Sequence, residues 1–150
     1  MTIPTLPEEL LTQIKQDEGL RLTAYWDPIG NVWTVGWGST GPAVHEGTVW
    51  TLEEAEAALQ NDVDVAANDV DMAFPWAEAM GVIRWSVLVN LCFNMGLSRL
   101  EGFHMALSAM QSGNYEEASV QMLNSLWASQ VGDRAQRLAK QMRDNYWVME

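Results

Sequence analysis

Residues 17–38 read Asp17-Glu18-Gly19-Leu20-Arg21-Leu22-Thr23-Ala24-Tyr25-Trp26-Asp27-Pro28-Ile29-Gly30-Asn31-Val32-Trp33-Thr34-Val35-Gly36-Trp37-Gly38, and how they are read decides the fold. Upstream, Pro7 suits the first turn of a helix, and Glu8 and Glu9 suit its positive end. Leu10, Leu11 and Ile14 form one apolar stripe, and Gly19 is placed to stop a helix expected over about 7–18. The pattern then changes. Tyr25, Val32, Trp33, Thr34, Val35 and Trp37 are β-prone, with turn signals at Pro28, Gly30 and Asn31. Residues 19–50 are therefore expected to hold a small antiparallel hairpin or three-stranded sheet, which must lean on helices to be stable.

Working outward, Thr51 with Glu54 is a capping-box pattern. Ala55, Ala58, Leu59, Val63, Ala66, Ala67 and Val70 follow at helical spacing, and Pro75 ends the run. A helix over 51–73 would be on the order of 33 Å long, long enough to join two lobes. Beyond it the chain reads as helices only. Ile83 to Met95 ends at Gly96, and Phe103 to Ser112 ends at Gly113. Asn114 with Glu117 opens a helix to about Trp127, and Asp133 opens the last, through Arg143. The expected fold is α+β and a single domain. A sheet lobe (about 19–50) and a helical lobe (about 74–150, with helix 7–18) are joined by the 51–73 helix.

The charge balance narrows the function. Eight Lys and Arg oppose twenty Asp and Glu in 150 residues, a net charge of −12. Such a chain lacks the basic footprint of a nucleic-acid binder and would be repelled by an anionic membrane. No Lys or Arg lies between Arg21 and Arg84, whereas the stretch from Arg134 to Arg143 carries four basic residues and no acid. The basic last helix needs an acidic partner or a ligand. One cysteine excludes a disulfide framework, and His45 and His104 lack metal-ligand spacing, so neither metal nor cofactor is expected. Cys92, in an apolar helix, reads as core, as do Met95, Met105, Met110 and Met122. The most apolar stretch, Val87 to Phe93, is broken by Asn90 and is too short for a membrane anchor. Met1 to Leu11 has no basic residue before its apolar positions, unlike a secretory leader. Residence in the cytoplasm of the producing cell is the expectation.

Two carboxyls stand out. Glu18 falls at the C-terminal end of the first helix, where the helix dipole favours the proton-carrying form that a general acid needs. Asp27 lies nine residues on, at a more solvated turn. Two carboxyls in unlike environments flanking a cleft are the arrangement that cleaves glycosidic bonds. Thr34 follows on the sheet with a hydroxyl suited to hold a water.

The stretch from Asp17 to Asp27, with Gly30, Thr34-Val35-Gly36 and Gly38, resembles the active-site hairpin of phage-type lysozymes, endolysins that cut bacterial peptidoglycan. Thr51 to Ala66, Leu88 to Gly96, Gly102-Phe103, Glu116-Glu117-Ala118 and Ser125 to Arg137 are similar, in order, to the T-even branch of that family. The resemblance runs over about residues 8–147. It implies a lysozyme-like fold and hydrolysis of the β-1,4 bond between N-acetylmuramic acid and N-acetylglucosamine. It implies Glu18 as proton donor, Asp27 as second carboxylate and Thr34 as the residue positioning water. The T-even branch inverts the anomeric centre, which needs carboxyls roughly 6.5 to 9.5 Å apart. By the same resemblance Phe93 and Asn94 line the cleft, Arg134 faces Glu18, and Arg137 pairs with Asp17. Trp33, Trp37 and Trp127 fall near the expected cleft, and with Tyr25 and Phe103 they complete the candidate sugar contacts. The implied partners are peptidoglycan and a pore-forming holin. The implied state is a monomer, held in the host cytoplasm until lysis and then acting on the wall in the periplasm.

Three features depart from the family pattern. Asp27 and Thr34 are seven apart, one more than usual in the T-even branch, so a longer turn with the strand register kept is expected. Ser39 stands where the family commonly has a His that pairs with the acid at Asp62, so that pair is expected to be missing. The third departure is the charge of −12 in a family that is often basic. Two other functions fit parts of the pattern. A lytic transglycosylase would cut the same bond with Glu18 alone. A non-catalytic wall-binding module would use the scaffold without the chemistry.

Overall fold

The computed structural model describes residues 5–150. The first four residues, part of the segment read for a leader, lie outside the described residues. The order is α1 (Glu8–Glu18), β1 (Arg21–Asp27), β2 (Val32–Gly36), α2 (Leu52–Ala73), a 3-10 turn (Ala77–Met80) and α3 (Val82–Met95). There follow α4 (Leu97–Glu101), α5 (His104–Gln111), α6 (Tyr115–Leu123), α7 (Leu126–Val131) and α8 (Asp133–Asp144). The class is α+β, mostly helical with one small antiparallel sheet, as the periodicity required.

The β1–β2 ladder pairs Tyr25 with Thr34, Trp26 with Trp33 and Asp27 with Val32, with an irregularity between Arg21 and Tyr25. Residues 48–50 add a partial third strand: Ala24 N–H donates to Thr48 and Trp50 N–H to Leu22, both at 2.8 Å. The sheet is small because Gly36 and Gly38 take positive φ and turn the chain within four residues, so that Val35 and Ser39 bond to each other. α2 starts in the expected capping box, Thr51 Oγ1 accepting from Glu54 N–H while Glu54 returns the bond to Thr51 N–H.

The core centres on α3, whose Trp85, Val87, Leu88, Val89 and Leu91 are buried. The 55, 59, 63, 66, 67 and 70 face of α2 packs against it, as do Leu138, Ala139 and Met142 of α8. Two sequence expectations change here. The helix expected from Asn114 to Trp127 ends at Leu123, because Ser125 Oγ accepts from Ala128 N–H and caps a new helix, α7. Met105 is not core filler: it is 66% exposed, whereas Met110 and Met122 are buried as expected.

The chain ends are tied together by one amide. Gln141, fully buried on α8, donates to Ile83 O at 3.0 Å and accepts from Gln13 Nε2 at 2.5 Å and Val148 N–H at 3.2 Å. Arg84 crosses from α3 to the last carbonyls of α8, donating to Met142 O at 2.6 Å and Arg143 O at 2.9 Å, which answers the negative end of that helix. Gln141→Leu keeps the volume and leaves the part-buried Ile83 carbonyl and Val148 N–H without this partner, while Gln13 Nε2 keeps only Val148 O at 3.0 Å. It should lower stability by about 1–3 kcal/mol, read from urea unfolding, and speed proteolysis after residue 144.

Candidate active site

Glu18 is the last residue of α1, where Gly19, at φ 71°, breaks the helix and swings the chain into β1. Its carboxylate does not float in solvent. Arg134, the second residue of α8, reaches it with Nη1 to Oε1 at 3.0 Å. The same guanidinium places Nη2 2.8 Å from Asn90 Oδ1 and Nε 3.3 Å from Asp17 Oδ2, the last an ion-pair contact rather than a hydrogen bond. Arg137, one turn along, bonds Asp17 Oδ1. The Arg134 side chain is only 8% exposed and that of Asp17 11%, while Glu18 keeps 25% of its side chain open. The basic last helix thus finds its acidic partner at the end of α1. A carboxylate fixed by a buried guanidinium on one side and open on the other is directed toward the open side.

That side is a cleft of about 370 Å³. Its lining includes Glu18, Gly38 and Thr40, the α2 residues Asp62, Val65, Ala66 and Asp69, and Cys92, Phe93 and Asn94 at the end of α3. A methyl group on Gly38 would come 3.5 Å from Glu18 Oε2, at a backbone φ of 90°, so glycine here both makes the turn and leaves the carboxylate room. Among the described residues no Lys or Arg lines this cleft, although its wall carries the carboxyls of Glu18, Asp62 and Asp69.

Tyr25, Asp27, Val32 and Thr34 share one face of the hairpin, because opposed residues of an antiparallel pair point the same way. Trp26 and Trp33 occupy the other face, edge to face at 5.6 Å. Thr34 is 4% exposed, its hydroxyl donating weakly to Val32 O at 3.4 Å. Asp27 ends β1, and Oδ1 accepts from Ile29 N–H at 2.9 Å. Neither Asp27 nor Thr34 lines the cleft that Glu18 lines.

The aromatic candidates divide. Phe93 and Asn94 line the cleft. Trp127 is 3% exposed, its Nε1 donating to Asn94 Oδ1 at 2.6 Å and its ring meeting Phe103 edge-on, so it supports the cleft wall from behind instead of offering a face to a sugar. Trp37 is 6% exposed beneath the Lys15 ammonium, which lies 4.8 Å from the ring centre. Phe103 lines a separate groove with His104 and Met105. Tyr25 is half-buried under the Arg21 guanidinium at 4.5 Å.

One expectation is overturned. The link expected to be lost at Ser39 is present in another form, with Ser39 Oγ donating to Asp62 Oδ2 at 2.7 Å. The shorter side chain still reaches α2 because the Gly36–Gly38 turn brings Ser39 against it. Sequence reasoning did not name Asn90 or Asp69 as site residues, and read Gly38 only as part of the hairpin pattern. Asn90 had a signal, a polar residue in the middle of the most apolar run.

Residues 15–144 match the model of the phage lysozyme family. The chain is 29% identical to the pre-baseplate central spike protein Gp5 of Enterobacteria phage T4, over 83% of this chain and 26% of that protein. It is 32% identical to the endolysin of Bacillus phage B103, over 73% of this chain and 41% of that one. It is 25% identical to the probable T4-type lysozyme 1 of Dictyostelium discoideum, over 83% of this chain and 88% of that one. The chain therefore spans well under half of two relatives and most of a third.

Cys92, although it lines the cleft, is no nucleophile. Burial, with the charge of Asp69 added, pushes its thiol up to about 11. At pH 8 the folded protein should react with a thiol reagent on the order of 100-fold more slowly than free cysteine, and denaturant should abolish the difference. Rapid labelling of the native protein would contradict that burial.

Proposed function

The chain belongs to the phage lysozyme family of glycoside hydrolases, and from that premise we propose that it is an endolysin muramidase. It hydrolyses the β-1,4 bond between N-acetylmuramic acid and N-acetylglucosamine in bacterial peptidoglycan. The observation that carries the reading is Glu18, held by buried Arg134 at the edge of a cleft of about 370 Å³. In this reading the glycan enters the cleft, and the Glu18 carboxyl protonates the departing glycosidic oxygen. Asp27 stabilises the positive charge that develops on the ring or directs the attacking water, and Thr34 steadies that water. Asp17 and Arg137 hold the end of α1 so that Arg134 does not drift. The sheet and the helical region act as two lobes joined by α2, opening to admit the polymer.

Inversion at the anomeric carbon, monomeric action and release to the wall through a pore-forming holin belong to the same proposal and rest on the family pattern. Among the described residues no helix is long and apolar enough to cross a membrane. A second setting has its own support. The match to a central spike protein covers a quarter of that relative, and the match to the peptidoglycan hydrolase gp36 of Pseudomonas phage phiKMV covers 15% of it. In this second setting the lysozyme unit would work as part of a phage particle, and finding the chain in purified particles would support it.

Glu18→Gln should abolish clearing of permeabilised cells, a loss of at least about 10²-fold, with the folded circular-dichroism spectrum kept and the melting temperature lowered because Arg134 loses a charged partner. Mass spectrometry of a wild-type digest should show reducing-end products, and a product lighter by one water would mean transglycosylation. Charge supplies a second expectation. A chain at −12 and an anionic wall repel at long range, and salt screens this over about 10 Å at 0.1 M. Activity should therefore rise with added salt before falling; a steady decline from the lowest salt would oppose the charge argument.

A further inference from the structure

The turn between the strands is one residue longer than the T-even pattern, and its geometry gives the extra residue a use. Four residues, 28–31, connect Asp27 to its cross-strand partner Val32. Asn31 takes the left-handed conformation at φ 56°, which folds the turn back toward the end of β1. The fold-back encloses the Asp27 carboxylate on two sides. Ile29 N–H holds Oδ1 at 2.9 Å. On the other side is Gly30, where a built Cβ would lie 2.9 Å from Asp27 Oδ2, 3.3 Å from Val32 Cγ1 and 3.5 Å from Asp27 Cγ. Real side chains do not approach that closely, so the carboxylate occupies the room that the missing Cβ leaves.

Gly30 is not there for its torsion. It is absent from the glycines with positive φ, unlike Gly36 and Gly38. An alanine could adopt the backbone, and the atom it would strike is the free end of a side chain, so the carboxylate would yield and the turn would stay. Among the described residues nothing outside residues 28–32 makes a hydrogen bond or ion pair with the Asp27 carboxylate. Arg134 holds Glu18 from a distant helix, whereas Asp27 depends on its own turn.

We infer that the turn 28–31 is a positioning device for the second carboxylate. Ile29 N–H fixes one oxygen, and the absent Cβ of Gly30 fixes where the other can lie. Gly30 is a positioning residue that touches no substrate. This rests on the proposed role of Asp27 and adds which part of the chain sets its aim. Catalytic groups must be held to about 0.5 Å, and an alanine at residue 30 displaces the carboxylate by about that much, from 2.9 Å toward ordinary contact.

The test is a double-mutant cycle on soluble peptidoglycan fragments with the parent, Gly30→Ala, Asp27→Asn and the double variant. Gly30→Ala should lower kcat about tenfold while KM and the melting temperature stay close to the parent's. In the Asp27→Asn background the same change should have no further effect on kcat, because the aimed group is already gone. A kcat for Gly30→Ala equal to the parent's would overturn the inference. So would an equal fractional loss in both backgrounds, which is also what a general loss of folding would give. If Asp27→Asn itself keeps the parent's kcat, the role of Asp27 falls, and the inference with it. Coupling absent beside a strong Asp27→Asn effect sinks the positioning role alone.

Discussion

The guanidinium of Arg134 is shared among Asp17, Glu18 and Asn90, which come from two other helices, and it is nearly closed to water. A buried cation of this kind must be matched by its surroundings, and losing one partner leaves an uncompensated charge that costs about 3–5 kcal/mol. The start of α8, the end of α1 and the middle of α3 therefore cannot move independently near the cleft. The constraint gives a use to Arg134 and Arg137, two of the four basic residues of α8. It also explains why Asn90 sits inside an otherwise apolar run: it supplies the third acceptor.

The two carboxyls proposed for catalysis are held by different means. Glu18 is fixed by tertiary contact, with its guanidinium partner arriving from 116 residues away. Asp27 is fixed locally by the turn that follows it. Between them runs β1, and the hairpin it opens has little core of its own and is anchored at its exit by the Ser39–Asp62 hydrogen bond to α2. Distances inside such a site depend on that anchor as much as on the acids.

The cleft itself is acidic. Glu18 has its counter-charge in Arg134 and Asp62 has a hydroxyl donor in Ser39, whereas Asp69 has neither among the described residues, and its field reaches the Cys92 sulfur. With no basic residue among the described lining residues, recognition of the glycan proposed as substrate would come from shape, hydrogen bonding and the Phe93 and Asn94 wall more than from charge attraction.

Much of this was legible in the chain alone. The capping box at Thr51, the glycine stops at Gly19 and Gly96 and the switch from helical to β-prone residues after Glu18 are local signals, and each produced the element it announced. The Asp17-Glu18 and Arg134–Arg137 partnership was read from a pattern of the family, and the structure brings those four side chains together. What failed depended on neighbours far away in sequence. Ser125 caps a new helix before Trp127 can extend the old one, Trp127 turns inward to support Asn94, Met105 faces water, and Ser39 reaches Asp62 because a turn carries it there. Short-range torsional and hydrogen-bonding preferences are written in adjacent residues, so the sequence by itself determined the elements and the charge asymmetry. Burial and side-chain direction depend on what packs from elsewhere, so only the tertiary structure decided which aromatics face the cleft and what holds each carboxylate.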